Sequence, residues 1–286
     1  MKELNEETAL ITGGASGIGL SIGKRLAETG MKVVLADIEV PVLEEAVAEL
    51  KGLGLEVMGV HCDVRDMGSV EEMKNQIEET FGNPKVVCLN AGIGFGSPIS
   101  EATISDWEWV IGVNLWGVIN GLHTFLPAVK EMGEGHIVMT ASIAGHISVP
   151  NLGPYSATKF AVVAIAETLR KELLTENSEI GVSCLCPGFV STNIWTSERN
   201  RPENLLNKSS DDLTDEELLQ REAFMEWMSS NAKEPSEVAE MVHHAILDNR
   251  FWIFTDDQHL DGLKSRHSSI VNGDELPWPA PPLIDL

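Results

Sequence analysis

Four residues in this chain are of types that can move a proton and steer an alcohol or carbonyl oxygen: Tyr155, Lys159, Ser142 and Asn114. Tyr155 is the only tyrosine in 286 residues, and Lys159 follows it by four positions. On a helix that spacing puts phenol and ammonium on one face, one turn apart. A phenol with its ordinary pKa of about 10 is a poor proton carrier at neutral pH. A fixed ammonium nearby favours the phenolate and draws that value toward the working range. Taken alone, the pair better suits a solvated lysine on a helix that carries a tyrosine. Ser142 closes an apolar, strand-like run, where a hydroxyl can donate to a substrate oxygen or simply cap a turn. Asn114 is a polar residue in an otherwise apolar helical stretch, which also suits a satisfied core amide.

A second set has the types and spacing of an anion cradle. Gly13, Gly17 and Gly19, with Ser16 and Ile18 between them, follow the apolar run Thr8–Thr12 and open a helical pattern. Glycines there allow a tight turn and close approach of backbone to a pyrophosphate, whose charge meets a helix N-terminus. A plain turn is the alternative, and a nucleophile elbow is excluded because Gly14-Ala15-Ser16-Gly17-Ile18 lacks the second glycine of that motif. Asp37 ends the next strand-like run, 18 residues beyond Gly19, where an acid binds adenosine ribose hydroxyls. Its charge would repel a 2′-phosphate, and neither Ser16 nor Ile38 offers a basic substitute, so NAD is expected over NADP. Asp63, also at a strand end, could accept from an adenine amino group or cap a helix. Asn90-Ala91-Gly92 lets backbone pass close to a cofactor, or is an ordinary strand-ending turn.

These residues sit at the ends of regularly spaced elements. Apolar runs at Thr8–Thr12, Met31–Asp37, Glu56–Asp63, Lys85–Asn90, Gly135–Ala141 and Ile180–Cys186 alternate with helical patterns. The helical patterns run to Gly30, over Val42–Leu50, over Val70–Phe81, over about Ile104–Met132, and from Tyr155 through Leu173 with Pro154 in the first turn. Continuously apolar strands alternating with helices predict a parallel sheet covered on both faces. After Pro187-Gly188 the alternation breaks into a charge-rich excursion, about 191–234, with one helical segment over Asp215–Met228. A helix over Ser236–Leu247, N-capped by Ser236, and a strand over Phe251–Thr255 follow. The tail from about 273 to 286 is rich in proline and predicts an extended arm. No repeat or linker divides the chain, so one domain over residues 1–286 is expected, with 191–234 as a lid.

Composition bounds the partners. The hydrophobic fraction of 43% and charged fraction of 22% are those of a globular protein. The net charge of −24, from 44 acidic and 20 basic residues, repels nucleic acid and anionic membrane. No apolar run of spanning length and no signal-peptide core are apparent, so a cytoplasmic protein is expected. Cys62, Cys88, Cys184 and Cys186 lie in apolar runs without a paired spacing and read as buried thiols, not as a disulfide or metal site. The histidines have no HExxH spacing, and the neighbours His243 and His244 should diverge on a helix; no metal is expected.

Thr12 through Gly19, Asp63-Val64, Asn90-Ala91-Gly92, Asn114, Ser142, Tyr155-xxx-Lys159 and Pro187-Gly188 with Thr192 occur in one order. In that combination the sequence resembles the short-chain dehydrogenase/reductase family, of the classical type, over about residues 6–192 and the final helix and strand. The resemblance implies a Rossmann-type doubly wound α/β fold with seven parallel strands in the order 3-2-1-4-5-6-7. It implies that Tyr155 is the general acid/base and that Lys159 lowers its pKa and binds the nicotinamide ribose. Ser142 then orients the substrate oxygen, and Asn114 helps hold a water on the proton path. Val64 would join Asp63 at the adenine, and Pro187, Gly188, Val190 and Thr192 would contact the nicotinamide. The activity implied is hydride transfer between NAD and a secondary alcohol or ketone, in a homo-oligomer, dimer or tetramer, built through the long helices.

Phe95, Ile143, Ile147, Phe189, Ile194 and Trp195, with Phe224, Trp227 and Met228 of the excursion, are the candidate pocket walls. They suggest an apolar or aromatic substrate, or else merely seat the lid. Two other readings stay open: an NADP-dependent carbonyl reductase, against which Asp37 speaks, and a non-catalytic dinucleotide sensor, which has no need of all four catalytic residue types.

Overall fold

The apolar runs become strands, the inner ones buried from both sides, in the computed structural model, which describes residues 4–207 and 231–277. They are Thr8–Thr12 (β1), Lys32–Asp37 (β2), Val57–His61 (β3), Val86–Leu89 (β4), Glu134–Thr140 (β5), Glu179–Cys186 (β6) and Trp252–Phe254 (β7). All neighbours pair in parallel, and the sheet order is β3-β2-β1-β4-β5-β6-β7. Because side chains alternate along a strand, β1 feeds two cores. Leu10 joins Val34, Phe125, Met139 and Val162 on one face, while Ala9 and Ile11 join Ile22, Leu26, Leu35 and Val238 on the other. Burial on both faces is why these runs lack the polar alternation of a half-exposed strand.

Helices Gly17–Ala27 (α1), Val40–Gly52 (α2) and Pro235–Asp248 (α7) cover one face. Met67–Thr80 (α3), the stretch Ile104–Met132 and Gly153–Thr175 (α6) cover the other. The Ile104–Met132 stretch consists of Ile104–Ile111 (α4), a wider π turn over Gly112–Trp116, and Gly117–Met132 (α5). In the π turn the Gly117 N–H bonds back five residues to the Gly112 carbonyl. By length and composition alone these 29 residues could cross a membrane, but Trp109, Val110, Val118, Phe125 and Val129 are buried against the sheet and its loops.

Four expectations need correction or limits. The last interior helix is capped by Glu234, not Ser236: Pro235 takes the first turn, and Glu234 and Glu237 bond each other's backbone N–H in a capping box. A further helix, Leu260–Asn272 (α8), ends at Gly273 in the left-handed conformation; its apolar residues are too few and too irregular to announce it. The sequence reading separated His243 from His244, yet their ring nitrogens and a Glu240 oxygen lie within 4.8 Å of one another. Arg25 from α1 reaches in to bond both Glu240 and His243, so a guanidinium already occupies this group. The expected helix over Asp215–Met228, with Phe224, Trp227 and Met228, and the arm from 278 onward lie outside the described residues.

Candidate active site

The strand ends at the carboxyl edge of the sheet bring the predicted residues together. After β1 the chain turns through Gly13, where φ is +64°, and a Cβ there would lie 2.8 Å from the Ala91 Cα. A Cβ at Gly19 would lie 2.0 Å from the Gly13 carbonyl oxygen. Any side chain at either position would collide with backbone, and the bare turn leads directly into the N-terminus of α1 at Gly17. This is a cradle that fits a pyrophosphate group. Ser16 is extended and makes no side-chain cap; Ile18 packs on the core beneath.

The strand-end hydroxyls of Thr12 and Thr140 hold the loops in register. Thr12 Oγ1 accepts from the Asn90 and Ala91 amides at 2.9 and 3.1 Å. Asn90 Nδ2 donates to the carbonyls of Thr12 and Gly13 at 3.2 and 3.3 Å, and its Oδ1 accepts from Thr140 Oγ1 at 3.1 Å. Asn90 therefore ties the glycine turn after β1 to the end of β5. The available signal was a hydroxyl at the last position of each strand.

Two acids mark the far end of the cradle. Asp37 Oδ2 accepts from the Ala15 amide at 3.0 Å and Oδ1 from the Glu39 amide at 3.1 Å, which places a carboxylate beside the glycine turn. Asp63 takes the Arg65 amide at 3.0 Å and its Nη2 at 2.5 Å. Burial opposes the Asp63 charge, but Arg65 outweighs it and holds the carboxyl below its usual value. Val64 is buried against Gly117, and Asn120 Nδ2 donates to its carbonyl at 2.9 Å.

The proton-handling residues converge at β5, β6 and α6. Ser142 is buried just past β5; its hydroxyl accepts from the Ala144 amide at 3.1 Å and donates toward the Pro187 carbonyl at 3.4 Å. Lys159 is 2% exposed and donates from Nζ to the Thr140 carbonyl at 2.9 Å. Its Nζ stands 5.6 Å from the centre of the Tyr155 ring. Burial pulls the Lys159 ammonium down to about 8, against the opposing pull of the Cys184 and Cys186 sulfurs. Burial also pushes the Tyr155 phenol above its ordinary value, and the nearby Ser142 hydroxyl offsets this only in part. The depressed tyrosine expected from the spacing is thus not produced by these side chains alone, because desolvation acts on both groups.

Asn114 lies in the π turn, fully buried. Its Oδ1 accepts from the Ile93 amide at 2.8 Å, and its Nδ2 donates to the Ile93 carbonyl at 3.0 Å and toward Thr158 Oγ1 at 3.4 Å. A Cβ on Gly92 would lie 3.4 Å from both Asn114 Oδ1 and Lys159 Nζ. The amide thereby joins the loop after β4 to the helix that carries Tyr155 and Lys159.

Past β6, the Pro187 carbonyl accepts from the Ile143 amide at 2.9 Å, and the Gly188 amide donates to Thr255 Oγ1 at 2.9 Å. Val190 is buried and Thr192 rests on Gly17. Phe95, Ile143, Ile147, Phe189, Ile194 and Trp195 are all half-buried. Of these, Phe95 packs on the cluster of Ile93, Trp109, Val110 and Leu205, whereas Ile143 follows Ser142 directly. The sequence reading missed His146, whose Nε2 lies 3.4 Å from Cys186 Sγ, and His259, whose ring lies 6.5 Å from that of Phe189. All four cysteines are free, buried thiols.

Residues 7–203 match the family model described as short chain dehydrogenase. The C alpha-dehydrogenase of Sphingobium sp. is 35% identical over 95% of this chain and 88% of its own length. A short chain dehydrogenase/reductase from Burkholderia phymatum, solved in complex with NAD, is 37% identical and superposes with a TM-score of 0.92 over 98% of this chain and 99% of that one. Actinorhodin polyketide ketoreductase, solved with NADPH, is 32% identical, with a TM-score of 0.74 over 89% and 97% of the two chains.

Proposed function

Because the chain belongs to the short-chain dehydrogenase/reductase family and is an oxidoreductase, we propose that it interconverts a secondary alcohol and a ketone, with NAD as its cofactor. The observation that carries this reading is the convergence of Ser142, Tyr155, Lys159 and Asn114 at the carboxyl edge, next to a glycine cradle that no side chain could share. A nicotinamide dinucleotide, when bound, supplies the hydride acceptor or donor. The glycine turn and the α1 N-terminus would hold its pyrophosphate, and Asp37 its adenosine ribose. The chain's own residues do the remaining work. Tyr155 takes the hydroxyl proton in oxidation and returns it in reduction. Ser142, at the end of β5, orients the substrate oxygen. Lys159 adds positive charge beside the ring, and Asn114 fixes the loop and helix that present both.

Two ion pairs support NAD over NADP. Asp37 faces the cradle with a carboxylate, and the nearby guanidinium groups of Arg65 and Arg199 are engaged by Asp63 and Glu39. A 2′-phosphate would meet acids whose arginines are already committed. The family accommodates both cofactors, since the Burkholderia relative was solved with NAD and the ketoreductase with NADPH.

The half-buried Ile143, Ile147, Phe189, Ile194 and Trp195 support an apolar or aromatic substrate. Homo-oligomerisation through the long helices is supported by Ile104 and Trp116, which are 81% and 53% exposed. A panel of alcohols and ketones with NAD and NADP, followed by absorbance of the reduced nicotinamide, tests the reading. Turnover of aryl ketones or their alcohols with NAD(H) is expected. Turnover of polyols alone would sink the substrate class, and NADP saturating at lower concentration than NAD would sink the cofactor assignment. Tight NAD binding with no turnover of any alcohol would revive the sensor reading.

A further inference from the structure

The segment after Thr192 crosses three of the loops that frame the cradle. Thr192 lies over Gly17, where a Cβ would meet its Cγ2 at 2.9 Å. The Gly94 amide, in the loop after β4, donates to the Ile194 carbonyl at 3.3 Å and to Ser197 Oγ at 3.2 Å. Arg199 then grips Glu39, two residues past Asp37, with Nε 3.1 Å from Oε2 and Nη2 2.6 Å from Oε1. Asn200 Nδ2 adds a bond to the same Oε1 at 2.8 Å. A dinucleotide lying along the carboxyl edge, from the nicotinamide end at Pro187 to the ribose end at Asp37, would pass beneath this segment.

The segment is held unequally at its two attachments. Arg201 is buried: its Nη2 lies 2.5 Å from Asp106 Oδ1, its Nε donates to the Leu205 carbonyl, and its Cζ is 5.0 Å from the centre of the Trp109 ring. The Arg201 and Asp106 side chains are 2% and 3% exposed, whereas those of Arg199 and Glu39 are 36% and 20% exposed. Parting a buried, hydrogen-bonded ion pair strands a charge without solvent; water and salt can take over the partners of an exposed one. Arg201 is therefore the fixed point and Arg199 the releasable one. Arg199 Nη1 also donates to the carbonyls of Asn193 and Thr196 and to Thr196 Oγ1. The same guanidinium therefore links the turns of Asn193–Asn200 to Glu39.

We propose that Glu39, Arg199 and Asn200 form a latch that closes Thr192–Asn200 over the dinucleotide channel and sets the rates of cofactor entry and exit. The latch rests on reading this edge as a dinucleotide site. Its three members touch none of the reacting atoms and act as positioning residues. A surface ion pair that merely stiffens a loop would change thermal stability and leave cofactor exchange untouched.

The test is stopped-flow association and dissociation of NADH with the full chain, using nicotinamide fluorescence, for the unaltered protein, Glu39→Gln, Arg199→Gln and the exchanged pair Glu39→Arg with Arg199→Glu. Each single substitution should raise the dissociation rate about two- to fivefold, and the exchanged pair should bring it back toward the unaltered value. Raising salt from about 0.01 M to about 1 M, which shortens the screening length from about 30 Å to about 3 Å, should speed release from the unaltered protein and not from the single variants. Unchanged rates in both single variants overturn the latch. So does a change that neither salt nor the exchanged pair reproduces or reverses, since that is a local packing defect. Failure of the folded, unaltered protein to bind NADH at all overturns the dinucleotide reading beneath it.

Discussion

The Lys159 ammonium stands 5.6 Å from the centre of the Tyr155 ring and donates to the Thr140 carbonyl at 2.9 Å. Lys159 therefore faces the ring across space, while the Ser142 hydroxyl offsets part of the upward push that burial gives the phenol. Tyr155→Phe should lower kcat by about a hundredfold or more, because it removes the proton carrier, and leave NADH affinity within about twofold of the unaltered value. Lys159→Met should lower both kcat and NADH affinity. Steady-state kinetics paired with NADH titration separates the two; unchanged turnover in Tyr155→Phe would falsify the catalytic assignment.

Gly19 is the tightest point of the cradle, with the Gly13 carbonyl oxygen 2.0 Å from where a Cβ would stand. Gly19→Ala must push the turn open or shift α1. The expected result is loss of NADH binding by at least about tenfold, read by fluorescence titration. Retention of full affinity would mean that the turn is not where the pyrophosphate sits. A folded far-UV circular dichroism spectrum should accompany the loss, since the collision is confined to one turn.

Asn114 has no exposed surface and pairs with both the amide and the carbonyl of Ile93. Asn114→Ala leaves those two backbone groups buried without their partner, each such loss costing about 1–3 kcal/mol. Chemical denaturation should show a destabilisation of about 2–6 kcal/mol. Turnover should fall as well, because Ile93 in the loop after β4 and Thr158 beside Lys159 lose the amide that ties them together. Destabilisation without any change in kcat would make Asn114 a purely structural residue.

His136 lies at the other end of the sheet from the cradle, 1% exposed, with Nε2 2.8 Å from Ser183 Oγ and with Nδ1 unpaired in the interior. Burial pulls its pKa from 6.5 down to about 3, with Arg170 among the groups acting the same way. The sign follows from linkage. As pH falls below 6.5 the unfolded chain takes up a proton that the folded chain refuses until about pH 3. Stability contributed by the neutral imidazole is present above pH 6.5 and drains away toward pH 3, at up to about 1.4 kcal/mol per pH unit. His136→Gln should be less stable at neutral pH yet show a flatter acid limb. Urea unfolding at pH 7 and pH 5 measures the difference, and identical pH slopes for the two proteins would remove His136 from the acid response.

Much of the fold was legible because its causes are local. Strands buried on both faces must be apolar throughout, as in Val86–Leu89, and the crossing helices show their own period. Half of the glycine turn was legible for the same reason, since Gly19 answers to the Gly13 carbonyl six residues earlier, whereas Gly13 answers to Ala91 on the next loop. Helix α8 was not legible, because its few apolar residues, such as Leu260, make no pattern until it has something to lie on. The Ser236 cap failed because a stronger local arrangement, Glu234 with Pro235 and Glu237, competed for the same helix end.

By itself the sequence determined which chemistry was available: one phenol, an ammonium four residues later, a hydroxyl at a strand end and an acid at another. Only the tertiary structure decided how those groups are charged and held. Desolvation depends on what surrounds a side chain, and spacing along a helix cannot report that Tyr155 is pushed up while Lys159 is pulled down to about 8. Pairing between distant segments is equally invisible in one dimension. Arg199 finds Glu39 across 160 residues and Arg201 finds Asp106 across 95, because the sheet brings those loops to one edge. Arg25 meets Glu240 and His243 because α1 and α7 share a face of the sheet.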